Sequence, residues 1–385
     1  MRGLTSAMAA LSASLVVGTA AAQETARGWA ADAFVPSERG SRWFHGESLD
    51  LRGHGRMALG AVGSYAYRPV AIRDGEGDVV GSPVRNHALL HTGAAFVFAD
   101  RIRLGFDVPL QLVGDGDPVT IGDVRYSPAS DESAVGDVRL TGDVRLFGRY
   151  LEGFTGAVGA QLFVPAGSPS SFTGDGDPHL RPRLMFAYES GSVALSAMGG
   201  AHIRGRDQPW AGGRVGSEVF VGVSGGAVLA NGRIVIGPEL LATTVVSGDA
   251  ALHTRTTPVE VLLGTRWELL PKIRFGAGVG AGLTQAYGAP VARALLSIEW
   301  VPDDPRPPPP APSESPNPSD RDGDGVPDPD DACGFVPGER SEFPERNGCP
   351  PPATAEPAPD ESAPDEPAPE EPAPEEPVPA QEPAR

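Results

Sequence analysis

Between Arg101 and Leu112 the chain reads RIRLGFDVPLQL. Ile102, Leu104, Phe106, Val108, Leu110 and Leu112 alternate without a break with Arg101, Arg103, Gly105, Asp107, Pro109 and Gln111. A period of two predicts a strand whose two faces meet different surroundings. Its twelve residues are enough to cross a bilayer, which a tilted strand does in about 9–11. Two arginines and an aspartate on one face, against apolar side chains on the other, is the pattern of a wall between hydrocarbon and a polar lumen. Repeated around a closed circuit, such a wall is a transmembrane β-barrel.

The pattern recurs. Met57, Leu59, Ala61, Tyr65 and Tyr67 oppose Arg56, Ser64 and Arg68; Leu90, Thr92, Ala94, Phe96 and Phe98 form the outward set of a strand near 85–98. Val138, Leu140, Val144 and Leu146 oppose Asp137, Arg139, Thr141, Asp143 and Arg145. Further strands are expected over 154–164, 180–188, 193–203, 215–223, 233–246, 257–267, 273–283 and 291–300. The expectation is therefore an all-β antiparallel barrel of about twelve strands over 55–300, with 8–14 allowed. Mostly short joins near 99–101, 147–152, 189–192, 226–232 and 268–272 alternate with longer ones, the asymmetry of periplasmic turns and external loops. An even number of strands puts both chain ends in the periplasm. Lumen positions of both signs are expected at Arg101, Arg103, Asp107, Asp137, Arg139, Asp143, Arg145, Arg181, Arg183, Glu218, Glu239, Glu260, Arg266 and Arg274.

A positive start, an apolar run over 8–17 and Ala20-Ala21-Ala22 read as a secretory signal peptide over 1–22. Residues 23–54 have no period and are expected to be a periplasmic arm, with a short plug as the other reading. After Trp300 the composition changes abruptly. The last 85 residues carry 22 acidic against 5 basic side chains, and 26 of the 41 prolines. They divide into a proline-rich linker over 301–319, a motif-bearing segment over 320–350 and an acidic low-complexity tail over 351–385. The tail reads as an extended, solvated spacer. A periplasmic or cell-envelope partner is conceivable for it, and its sign excludes nucleic acid.

Asp320, Asp322, Asp324, Asp328 and Asp331 take positions 1, 3, 5, 9 and 12 of a calcium loop, with Gly325 at 6 and the Val326 carbonyl at 7. Calcium takes about 6–8 oxygen ligands, and the glycine allows the turn that wraps them around the ion. Calcium is the expected cofactor. The only two cysteines, Cys333 and Cys349, follow the loop, and in an exported chain such a pair is expected to form a disulfide, worth about 3 kcal/mol.

The spacing DxDxDGxxDxxDxC resembles the thrombospondin type 3 repeat, which binds calcium through these aspartates. With the following cysteine pair ending in Asn347-Gly348-Cys349-Pro350, it is similar to the segment that follows the barrel in OmpA-like outer-membrane proteins. Pro36-Ser37-Glu38-Arg39-Gly40-Ser41 and Leu49-Asp50-Leu51-Arg52-Gly53 extend that resemblance into the body. It implies an outer-membrane location with outer-membrane lipid around the barrel. That family's peptidoglycan-binding domain is expected to be lacking here, so peptidoglycan binding is not implied.

Signs of catalysis are weak, and no enzyme is expected. Gly222-Val223-Ser224-Gly225-Gly226 matches G-x-S-x-G, but a nucleophile elbow requires a strand-to-helix turn. His87 and His91 share the lumen face without an obvious carboxylate at ligand spacing. Gly276, Gly278, Gly280 and Gly282 read as small inward positions where lumen contents approach closely. The leading expectation is a structural barrel with a calcium-binding spacer; a porin-like channel for small solutes is the alternative, and a lipid-acting barrel enzyme trails both.

Overall fold

The computed structural model describes residues 24–302 and 320–351. The expected signal peptide, nearly all of the expected linker and most of the acidic tail lie outside the described residues. The chain divides into two compact units, Met1–Pro307 and Pro308–Arg385.

The first unit is a closed barrel of twelve antiparallel strands: β1 Arg56–Arg73, β2 Val79–Phe98, β3 Ile102–Asp115, β4 Val138–Phe147, β5 Gly153–Val164 and β6 His179–Ser190. The circuit continues with β7 Val193–His202, β8 Glu218–Leu229, β9 Ile234–Val245, β10 Val259–Leu270, β11 Ile273–Gly282 and β12 Ala292–Trp300. Each strand pairs with its sequence neighbour, and β12 closes on β1 with Trp300 opposite Leu59 and Ala292 opposite Tyr67. Joins at 99–101, 148–152, 191–192, 230–233 and 271–272 make one end of the barrel; the longer connections make the other.

Alternation fixes which face each side chain takes. Leu104, Phe106, Leu140, Val144, Leu184, Phe186, Val221 and Leu296 are exposed on the outside. Arg103, Asp107, Arg139, Asp143, Arg181, Arg183, Glu239, Glu260 and Arg266 are buried inside. A barrel that exposes its leucines and buries its arginines is built for hydrocarbon. One expected lumen position differs, Arg101, which belongs to the turn between β2 and β3; Arg145, Glu218 and Arg274 are half-buried.

The principal correction concerns the N-terminal segment, which is not a periplasmic arm. Glu24–Ala26 pairs in parallel with Val124–Tyr126, inside the long connection between β3 and β4. From there the chain runs through the lumen, and Gly53 reaches the short-turn end, where its N–H donates to Asp100 Oδ1 at 2.7 Å. The described chain therefore enters at the long-loop end, and the expectation of both ends on the short-turn side fails for this one. Length explains the arrangement. About eight strands enclose a space that side chains can fill, whereas a wider circuit leaves a hollow, and here residues 27–55 occupy it.

In the second unit, Cys333 and Cys349 form a disulfide with their Cα atoms 5.0 Å apart. A one-turn 3-10 helix, Asp328–Asp330, lies between the aspartate-rich loop and the bridge.

Candidate functional site: the plugged lumen

The plug is held by apolar packing, with Leu49 and Leu51 against Met185 and Met198, Phe34 and Phe44 against Leu262 and Leu295, and Trp43 against Val228 and Val235, and by a set of polar contacts. Glu239, on β9, points inward and its carboxylate accepts the backbone N–H groups of Phe44 (2.7 Å), His45 (2.9 Å) and Gly46 (2.9 Å) and the Ser224 hydroxyl (3.1 Å). Three successive amides converging on one carboxylate hold a tight turn that no secondary structure stabilises. Gly46 is required there, because a Cβ would lie 2.3 Å from Ser224 Oγ. The Phe44 ring rests on a floor of glycines, where Cβ atoms at Gly264, Gly276 and Gly278 would come within 2.8–3.1 Å of it. Two of these belong to the glycine run that the sequence marks for close approach.

Ion pairs fasten the rest. Arg39 donates to Asp107 Oδ2 at 2.9 Å and to the His91 carbonyl at 3.1 Å. His91 Nδ1 lies 2.9 Å from Asp107 Oδ1, so this histidine does have a carboxylate, from the neighbouring strand. Arg42 pairs with Glu189. Arg293 on β12 forks between Asp32 of the plug (2.6 and 2.9 Å) and Glu260 of the wall. Glu38 and Glu47 lie at the middle. Glu38 Oε1 accepts from Thr141 Oγ1 at 2.9 Å and Gln161 Nε2 at 3.1 Å, with Arg139 at 3.4 Å and Arg183 at 3.6 Å. Glu47 pairs with Arg103 at 2.9 Å and Arg183 at 3.2 Å. Asp143 lies between these two arginines at 2.6 and 2.9 Å.

The long-loop end carries an apolar cap over this polar column. Trp29 packs edge-on to Trp210 (ring centroids 4.6 Å apart) and Phe172 (5.6 Å), and Tyr126 and Tyr287 pack on Trp210. Below the cap, Asp175, His179 and His202 cluster within 4.8 Å. Asp175 accepts the Ala30 N–H at 2.9 Å and pairs with Arg204, so this group too anchors the plug. The plug leaves separate voids of about 80 and 40 Å³, room for a few waters. Ser224 lies within β8 and donates to Glu239, without the turn that a nucleophile needs.

In the second unit the carboxylates of Asp320, Asp322 and Asp324 converge within 4.8 Å, a cluster that does not include Asp328 or Asp331. Asp320 accepts the N–H groups of Gly323 and Gly325, Asp324 those of Val326 and Gly338, and Asp328 that of Arg321. Gly325 has φ +89°, the left-handed geometry that the sixth loop position demands. Both carboxylate oxygens of Asp322, and Oδ2 of Asp331, are buried without a hydrogen-bond partner. Partial burial, then the facing Asp324, Asp331 and Asp320 carboxylates, raise the Asp322 carboxyl above its usual range.

The sequence alone assigns no role to several functional residues: Asp32, Glu38, Arg39, Arg42 and Glu47 of the plug, and Glu189, Arg204, Arg293 and Glu299, the last paired with Arg266 at 2.9 Å. The last two were legible, because they occupy inward positions of a strand whose alternation is plain.

No family model and no curated protein matches the chain. Among solved structures, the COG4313 outer membrane channel from Pseudomonas putida F1 is similar with a TM-score of 0.50 at 16% identity, over 66% of this chain and 98% of that one. The NanC porin aligns with a TM-score of 0.42 at 6% identity, over 64% of this chain and 99% of that one. What the likeness to the COG4313 channel establishes is the fold: the chain is a twelve-stranded barrel of the outer-membrane kind.

Proposed function

We propose that the protein is an outer-membrane channel for small polar solutes, closed at rest by its own N-terminal segment. One observation carries this reading: the lumen is filled by a single N-terminal stretch of chain rather than by the wall's own side chains, and that stretch neutralises wall charges through ion pairs as well as packing on apolar patches. Withdrawing residues 27–55 would expose a hollow lined with arginines, aspartates and glutamates, the lining of a polar pore. The similar fold of a protein described as an outer membrane channel supports the same choice over a purely structural anchor, which would gain nothing from a removable filling. An enzymatic role has no support in the placement of Ser224.

In planar bilayers, the full chain is expected to be mostly silent, and a variant lacking residues 27–52 to conduct continuously. Equal silence of both, with the variant folded by its heat-modifiable migration on a gel, would contradict the channel reading and restore the anchor.

The aspartate loop has a second role in this reading, as a calcium-binding spacer. Asp320, Asp322 and Asp324 supply the cluster, and the partnerless oxygens of Asp322 fit a cation, since buried carboxylate oxygens without a partner are costly. The Val326 carbonyl, Asp328 and Asp331 would complete the shell. Calcium would then stiffen the stretch between barrel and acidic tail. Calorimetric titration of the full chain should show one saturable calcium event, lost in Asp322→Asn with Asp324→Asn. Undiminished binding in that double variant would remove these residues from the site.

A further inference from the structure

The plug does not touch the middle of the wall at random: two of its carboxylates sit in sites built for carboxylates. Glu38 Oε1 receives a hydroxyl from Thr141 and an amide N–H from Gln161, under the guanidinium groups of Arg139 and Arg183. Glu47 spans Arg103 and Arg183. Both glutamates are essentially inaccessible, at 1% and 0% exposure. Gly105 makes room for the first, since a Cβ there would lie 2.5 Å from Glu38 Oε2. Every one of these recognising groups except Gly105 is a side chain of the wall, so the wall keeps its donors when the plug leaves.

A second observation is independent of the plug. Arg181, on β6 two residues before Arg183, is 4% exposed and makes no ion pair or hydrogen bond among the described residues. Its guanidinium lies 3.7 Å over the Phe220 ring and borders the 40 Å³ void. A buried cation that no carboxylate contacts directly is costly unless something anionic visits it. Arg103, Arg139, Arg181 and Arg183 face the wall carboxylates Asp107, Asp143 and Glu218, and Glu218 is already paired with Arg204 at 2.6 Å, so without Glu38 and Glu47 this belt is positive.

We propose that this arginine belt is a binding site for small carboxylate-bearing solutes, and that in the closed barrel the plug's Glu38 and Glu47 occupy it as internal mimics of that solute. This rests on the channel reading and names the solute class for the same lumen. A solute carboxylate competes with the glutamates for the same donors, so binding and opening are coupled: any molecule that takes the belt lowers the free energy of the displaced plug. Positive rings in a low-dielectric wall also concentrate anions over cations.

The test uses the full chain in planar bilayers under a potassium chloride gradient, with citrate as the probe. Citrate should raise the open probability of the wild type by about tenfold, the effect of a modest differential affinity for the open state. Openings should reverse toward the chloride potential. Glu38→Gln with Glu47→Gln should open without citrate and keep that anion preference. Arg139→Gln with Arg181→Gln should lose the citrate response and bring the reversal potential close to zero. Openings that prefer potassium, or a wild type indifferent to citrate, overturn the carboxylate site while leaving the channel intact. A chain that conducts in none of these forms, nor after removal of residues 27–52, overturns the channel reading and this inference with it.

Discussion

Arg293→Ala is expected to be the most damaging single substitution in the barrel. The side chain is fully buried and joins two carboxylates that have no other cation within ion-pair distance among the described residues, Asp32 of the plug and Glu260 of the wall. Its Nη1 also donates to Ser64 at 2.7 Å. Truncation leaves both acids buried and uncompensated, a loss of about 3–5 kcal/mol for a broken buried pair. Lysine should rescue it only in part, because three ammonium donors cannot replace the five contacts that the guanidinium makes to Asp32, Glu260 and Ser64. Denaturant unfolding in detergent should show the lower midpoint, and limited proteolysis should cut within residues 27–35 in the variant but not in the wild type. Unchanged stability together with a resistant plug would mean that Asp32 is not held here.

Glu239→Ala follows in size but differs in kind. Three backbone N–H groups of the Phe44–Gly46 turn lose their acceptor at once, and each unsatisfied buried donor costs about 1–3 kcal/mol. The strand ladder of β9 is backbone-made and survives, so the loss falls on the plug and not on the wall. The variant should therefore keep near-normal barrel unfolding while its channel opens far more often in planar bilayers. The two substitutions separate the roles: Arg293 joins plug and wall through buried charges that also brace the wall, and Glu239 holds the Phe44–Gly46 turn of the plug in place. A Glu239→Ala barrel that unfolds early but never opens would reverse that assignment.

The twelve strands were legible because each lies between two unlike surroundings, and that difference imposes the period of two along the chain. β3 shows it from Ile102 to Gln111 and β4 from Val138 to Arg145, each up to a shift of register. The plug was not legible, and the reason is physical. Residues 27–55 form no repeating backbone pattern, so no periodicity reports their burial. Their partners are remote: Phe44 and Glu239 are 195 positions apart, and Asp32 and Arg293 261. Glu38 and Glu47 read in isolation as solvated charges, since only the facing arginines explain how they can be buried. One trace did exist. The glycines at 276 and 278 marked a place where lumen contents come close, without saying that those contents were Phe44. The aspartate loop was legible for the opposite reason, because all its parts lie within a dozen neighbouring positions.

The most direct test of a lumen filled by the N-terminal segment is a cross-link between that segment and the wall. A Cβ at Gly46 would lie 3.1 Å from Ser224 Cβ, a few tenths of an ångström short of the Cβ separation of about 3.5–4.5 Å that a disulfide spans. In intact outer membranes, Gly46→Cys with Ser224→Cys should yield a 46–224 disulfide-linked peptide by mass spectrometry, and the oxidised barrel should stay closed until a reductant restores its openings. Two free thiols, with the one at position 46 open to a water-soluble reagent, would put the segment outside the barrel and contradict the account.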